Sequence, residues 1–111
     1  MNDPELTGPA RVREVFVRVA RGDATAADLY APEGVIQYGA HEMVRGREAI
    51  RAFYQAQIDT IHPQPVVESV FGQPPRYVAH VQVPTSEGHR RALDLFTLGD
   101  DGIERLEIFA W

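Results

Sequence analysis

The chain has eleven arginines, no lysine and no cysteine among its 111 residues. Without lysine there is no Schiff base, no pyridoxal-phosphate anchor and no P-loop lysine. Without cysteine there is no thiolate nucleophile, disulfide, iron–sulfur cluster or thiolate zinc site. Serine occurs only as Ser69 and Ser86, neither within a Gly-x-Ser-x-Gly elbow. Chemistry is left to carboxylates, imidazoles, phenols, guanidinium groups and backbone donors. His80 sits between Ala79 and Val81 in an alternating stretch, where an imidazole can move a proton near neutral pH. Glu107 lies between Leu106 and Ile108 and shares a strand face with Phe109 and Trp111. Burial there raises a carboxyl pKa toward the range a general base needs. Tyr38 offers a hydroxyl to a carbonyl oxygen. Each has a plainer role beside the chemical one. His80 can be a satisfied, partly buried polar group, Glu107 a sheet-edge carboxylate paired with Arg105 or Arg91, and Tyr38 a core residue with a wet hydroxyl. Arg91 is open in the same way, between an acidic ligand group and a solvated charge.

Other chemistries find little support. The histidines at 41, 62, 80 and 89 show no His-x-His or His-Glu-x-x-His spacing, so no metal site is expected. No cofactor motif is present either. Sixteen acidic residues outweigh the eleven basic ones, for a net charge of −5, and this disfavours nucleic acid as a partner. No apolar run approaches the roughly 20 residues of a membrane span. The stretch Met1–Glu5 is acidic and polar, unlike the basic start of a signal peptide. A cytoplasmic location is therefore expected.

The elements that must position these groups fall into two halves of one domain spanning 1–111. Val12, Val15, Phe16 and Val19 recur at helical spacing, with Thr7 as N-cap and Gly22 as the residue past the end. Residues 1–8 are expected to be flexible. Asp23 or Thr25 opens a short second helix through Tyr30, closed by Pro32 and Gly34, and Val35–Tyr38 reads as a brief strand. Residues 46–61 form a third helix with Ile50, Phe53, Tyr54, Gln57, Ile58 and Ile61 on one side, stopped by His62-Pro63-Gln64-Pro65. His41 and Glu42 fall in a loop, as do His62 and His89. The period then changes to two over residues 66–71, 77–83, 90–98 and 103–111, separated by short Gly- and Pro-containing links. Helices followed by antiparallel hairpins make an α+β fold.

On the 77–83 strand, Tyr77, Ala79, Val81 and Val83 share one face, and Val78, His80 and Gln82 the other. A one-sided sheet turns the valines to the helices. The last two strands are apolar on both sides, however, and a sheet apolar on both faces needs two covers. The helices supply one. A second copy of the chain, in a homodimer through the convex sheet face, is the simplest source of the other.

Three local signatures combine with this order: Gly22-Asp23 followed by Leu29-Tyr30-Ala31-Pro32-Glu33-Gly34-Val35; Val44-Arg45-Gly46-Arg47-Glu48-Ala49-Ile50-Arg51-Ala52-Phe53-Tyr54; and Asp100-Asp101-Gly102-Ile103-Glu104. Together they resemble the nuclear transport factor 2-like superfamily, which includes ketosteroid isomerases, SnoaL-type polyketide cyclases and limonene-epoxide hydrolases. The resemblance runs from about Val12 to Trp111. It implies a cone in which a curved sheet wraps the long helix around a deep pocket. It also implies that the face of His80 and Gln82 turns into the pocket, with Arg91, Leu93, Leu95, Thr97, Glu107, Phe109 and Trp111, while Val81 and Val83 face the dimer partner.

Under the same resemblance, the base carboxylate of the ketosteroid isomerases falls on Tyr38, their oxyanion tyrosine on Val15, and their protonated aspartate near Thr97. None matches, which argues against steroid isomerisation by that mechanism. Two supporting tyrosines have counterparts in Tyr30 and Tyr54. The epoxide-hydrolase Asp-Arg-Asp set is missing, because Arg91 and Asp94 point to opposite faces of one strand. SnoaL-type cyclases use a pocket aspartate, and the nearest inward acid by this mapping is Glu107. The implied activity is cofactor-independent proton transfer by Glu107, His80 and Tyr38 on a hydrophobic oxygenated substrate such as a polyketide-like or terpenoid ketone. Tyr30, Tyr54, Phe53, Gln82, Arg91, Leu95, Thr97, Phe109 and Trp111 would line its site. The reaction would be of isomerase, cyclase or dehydratase type. The alternative is a non-catalytic ligand-binding or dimerisation module of the same fold.

Overall fold

A computed structural model describes residues 7–110. The flexibility expected for 1–8 falls mostly outside those residues, and so does Trp111. Helix α1, Gly8–Ala20, begins where the Thr7 side chain accepts a hydrogen bond from the Ala10 N–H, with a proline in the first turn. It buries Val12, Val15, Phe16 and Val19 and ends at Arg21, after which Gly22 takes a positive φ of 78°. The Asp23 carboxylate then accepts from the Thr25 N–H at 2.9 Å and opens a 3₁₀ helix, Ala24–Leu29. Helix α2, Arg47–Ile61, buries Ile50, Tyr54 and Ile58 and closes on His62 in the left-handed region.

Six strands follow the helices or interleave with them: β1 Tyr30–Tyr38, β2 His41–Arg45, β3 Val66–Gln73, β4 Arg76–Thr85, β5 Gly88–Gly99 and β6 Gly102–Ala110. They form one sheet in the order β2-β1-β6-β5-β4-β3, in which only the β1–β6 pair is parallel. The α+β class and the four late strands are as the periodicity predicts. The first strand is longer than expected. Pro32 and Gly34 read as breakers in the sequence, but the register with β6 shifts between Tyr30 and Val35, so an irregular stretch absorbs them. His41 and Glu42 lie in β2 rather than in a loop, and His89 lies in β5. Gly102, at φ 126°, lets β6 start against the end of the 3₁₀ helix. A Cβ there would sit 2.8 Å from the Leu29 carbonyl oxygen.

One correction decides where the site is. The face of the sheet turned to the helices carries Tyr77, Ala79 and Val81 on β4, Phe96 on β5, and Ile103 and Leu106 on β6, all buried. His80, Gln82, Leu93, Leu95, Thr97, Glu107 and Phe109 therefore stand on the opposite, convex face, and Val81 and Val83 do not. Strand side chains alternate with period two, so assigning one residue to the wrong face inverts the whole strand. The helices already bury Val15, Phe16 and Ile50, and the fully apolar alternate of β4 packs against them. The one-sided reading of that strand holds, and the reversal implied by the resemblance does not. The inner alternate of β5 includes one buried charged group. It is Asp94, only 6% exposed.

Candidate functional site

A cavity of about 360 Å³ opens between the helices and the concave sheet face. That volume is near the lower end of the range for small-molecule sites, about 300–1,000 Å³. Helix α1 supplies Val15, Phe16 and Val19, and α2 supplies Phe53, Tyr54, Gln57 and Ile61. The sheet floor is Val81 and Val83, Ala92 and Asp94, and Leu106, Ile108 and Ala110. Tyr38, Met43, Pro63, Pro65, Arg90 and Arg91 complete the lining. The walls are thus almost wholly apolar. Among the described residues that line it, Asp94 is the sole carboxylate.

The backbone neighbours of Asp94 explain its chemistry. In the sheet it lies opposite Ala79 of β4 and Ile108 of β6, neither of which offers a polar side chain. Its Oδ1 is buried and has no hydrogen-bond partner among the described residues. Desolvation therefore goes uncompensated and pushes its pKa from the ordinary 3.8 up to about 7. A carboxyl group with that pKa takes and returns protons at neutral pH.

A pair of tyrosines sits in the same electrostatic environment. The Tyr30 and Tyr54 hydroxyls are 2.7 Å apart, buried, and one donates to the other. Tyr30 is held at the start of β1 by the Arg47 guanidinium, which donates to the Tyr30 carbonyl from Nε at 3.0 Å and Nη2 at 2.7 Å. Nearby, Arg51 of α2 pairs with Asp28 of the 3₁₀ helix at 2.8 Å. Burial raises the pKa of both phenols, and the Asp94 charge raises both further, so they remain protonated donors. One hydroxyl proton is spent within the pair and one is left over. Tyr30 is 0% exposed, whereas Tyr54 lines the cavity. Donation from Tyr30 to Tyr54 leaves the Tyr54 proton for a ligand.

Of the groups singled out in the sequence, the structure brings Tyr38, Phe53, Tyr54 and Arg91 to the cavity, with Tyr30 behind Tyr54. Tyr38 stands at the rim, 45% exposed. The structure sets His80, Glu107, Gln82, Leu95, Thr97 and Phe109 apart from it, on the convex face. There His80 Nδ1 lies 3.2 Å from Glu68, and Gln82 donates to the same carboxylate. Asp94 is the residue that sequence reasoning missed. The signal was present, because Asp94 shares strand parity with Phe96, and Phe96 opposes Tyr77 on the apolar alternate of β4. Among the described residues no three His, Cys, Asp or Glu side chains gather as a metal site, and no helix is long and apolar enough to cross a membrane.

Solved structures with the same architecture span nearly the whole chain. A protein from Sphaerobacter thermophilus is 28% identical, with a TM-score of 0.76 over 95% of this chain and 98% of its own. A nuclear transport factor 2-like protein of unknown function from Cytophaga hutchinsonii superposes with a TM-score of 0.81 at 13% identity, covering 99% and 95%. The epoxide hydrolase/cyclase-like enzyme SalBIII, with a role in pyran ring formation in the polyether salinomycin, superposes at 0.75 and 19% identity, covering 91% and 88%. No curated protein matches the chain by sequence. The SnoaL-like domain model matches residues 12–106, from the first buried valine of α1 to the buried leucine of β6, and the chain belongs to that family.

Proposed function

We propose that the protein is a cofactor-independent acid/base enzyme acting on a hydrophobic ketone, with Asp94 as the group that moves the proton. The observation that carries this reading is a lone buried carboxylate, with an unpartnered oxygen, on the floor of an apolar cavity. A fold needs no such group for stability, since an apolar side chain there would remove a desolvation cost. Strongly perturbed carboxyl groups in clefts are characteristic of catalytic sites.

The chemistry follows from the two polar features. Ionised Asp94 takes a proton from the carbon next to the substrate carbonyl, and the electron pair moves onto the carbonyl oxygen. The Tyr54 hydroxyl, backed by Tyr30, donates a hydrogen bond to that oxygen as its charge grows. Where the ketone is β,γ-unsaturated, the resulting dienolate takes the proton back from the Asp94 carboxyl at the γ carbon, which moves the double bond into conjugation and is an isomerisation. If instead the enolate carbon attacks a second carbonyl of the same molecule, the ring closes in an aldol-type cyclisation and the Asp94 proton goes to the new alkoxide. Phe53, Val15 and Ile108 exclude water around these steps. The likeness to SalBIII is one of fold, so the weight of the reading rests on Asp94.

The test is exchange of carbon-bound protons in D₂O, followed by NMR over a panel of small bicyclic ketones. Exchange above the buffer rate is expected, rising with pH around a midpoint near 7 as Asp94 ionises. An Asp94→Asn variant that keeps the wild-type exchange rate would sink the reading. So would a panel in which no ketone exchanges faster than in buffer; that outcome leaves a ligand-binding module.

A further inference from the structure

We infer that the ligand of this cavity is an elongated, amphipathic anion: an apolar body carrying a carboxylate, bound with the carboxylate at the mouth. This deepens the proposed function and rests on that reading for the reacting end only. Arg90 and Arg91 are exposed residues that also line the cavity. Arg90 shares the inner alternate of β5 with Ala92 and Asp94, and it lies opposite Val83 of the cavity floor. Among the described residues neither arginine is ion-paired, whereas Arg18, Arg21, Arg45 and Arg51 all are. Two cations with no acidic partner among the described residues thus stand at one end of the cavity, in a chain of net charge −5.

The other end fixes the orientation. Asp94 lies four residues along the strand from Arg90, about 13 Å at strand rise. An anionic head placed at that depth meets a carboxylate, the single Tyr54 donor and, among the described lining residues, no cation, and it loses its hydration. Placed at the mouth it keeps water and gains guanidinium groups, whose planar donor fork matches a carboxylate. The field of the cavity is thus polarised along its axis, positive at the mouth and acidic at the floor. A ligand carrying its carboxylate at one end and its reacting carbonyl most of that span away satisfies both ends. A neutral hydrocarbon ketone satisfies only one.

Decanoate, decan-1-ol and decylammonium have chains of equal length and differ in head-group charge, so their affinities by calorimetry isolate the mouth. Decanoate is expected to bind at least tenfold more tightly than the alcohol, with decylammonium weakest and the preference shrinking as salt is raised. The Arg90→Ala/Arg91→Ala double variant is expected to bind the alcohol as the wild type does and to lose the preference for the anion. Arg90→Glu/Arg91→Glu is expected to favour decylammonium. Both arginines are exposed, and a thermal melt of each variant checks that the fold is kept. Equal binding of decanoate and decanol, or an anion preference that survives the double alanine variant, would overturn the inference. Asp94→Asn separates the two readings, because it is expected to abolish ketone exchange without removing the preference for decanoate over decanol that the mouth arginines confer. Anion preference without exchange in any ketone would leave this inference standing and remove the catalytic one.

Discussion

The two faces of strand β5 differ in the opposite sense to the usual division between core and surface. The outer face carries Leu93, Leu95 and Thr97, half-buried and without charge. The inner face carries Ala92, Asp94 and Phe96, and the aspartate is buried along with the phenylalanine. On the same outer side, Glu68 of β3 is satisfied by His80 and Gln82. This cluster on the convex side is thus paired at little electrostatic cost, and the buried carboxylate on the concave side is not. Chemistry resides where a charge has been left uncompensated, and a satisfied cluster, however rich in titratable groups, has little free energy to spend on a ligand.

The largest effect expected from breaking this asymmetry is on Asp94. Asp94→Asn keeps shape and removes the proton acceptor, so ketone exchange should fall by about 10²–10⁴-fold, the usual contribution of a positioned general base. Stability should move the other way. A carboxyl raised in the fold from 3.8 to about 7 binds more protons folded than unfolded between those values. Its contribution is therefore fully present below about pH 4 and is lost as pH rises through 7, by about 4 kcal/mol at most. Asp94→Asn removes that loss. Melting curves should show wild type and variant close together at pH 4 and the variant higher at pH 8, by on the order of 10 °C. A variant that is less stable at pH 8 would mean that Asp94 has a partner in solution and carries no stored cost.

The outer face responds to a different change. Val78, Leu93, Leu95 and Phe109 form an apolar surface across three strands, and Phe109 is 44% exposed. We expect a second copy of the chain to cover it. Sedimentation should give a dimer, and Leu95→Glu should weaken that dimer by at least about a hundredfold, since it buries a second carboxylate directly opposite Glu107. A wild-type monomer at micromolar concentration would refute the expectation.

The same asymmetry explains what could be read from the sequence. Helix α1 was legible because Thr7, Pro9 and Gly22 are local signals acting within a few residues. The four late strands were legible from period two and from their turn residues. Strand β2 was not, since the five residues His41–Arg45 show no alternation and pair only with an edge. The face of the sheet was the costly error. Periodicity separates two alternates but does not say which one the helices cover, and β5 and β6 are apolar on both. Tyr30 and Tyr54 came through the resemblance, and their hydrogen bond spans 24 residues of separation. Asp94 was hidden because it obeys no motif; its significance lies in the missing partner, which only packing reveals.

A smaller effect is expected at Tyr54. Tyr54→Phe removes one donor from the growing oxyanion and leaves Tyr30 buried without its hydrogen bond. Exchange should drop by about tenfold to a hundredfold, the midpoint of the pH profile should stay near 7 because burial holds Asp94 up, and the fold should lose about 1–2 kcal/mol. A midpoint that stays near 7 assigns the raised pKa of Asp94 to desolvation alone, which is the cause the geometry favours.

The smallest effect belongs to the groups that looked most reactive in the sequence. His80 and Glu107 stand on the convex face, with the sheet between them and the cavity floor. Glu107→Gln and His80→Gln should each leave ketone exchange within about twofold of wild type, because a buried apolar sheet separates them from the reacting atoms and surface charges across it are well screened. Losing the His80 imidazole also removes its contact with Glu68, worth only about 0–1 kcal/mol at this exposure. Should either substitution abolish exchange while dimerisation and melting are unchanged, proton transfer would have to run through the outer face, and the assignment of the chemistry to Asp94 would fall with it.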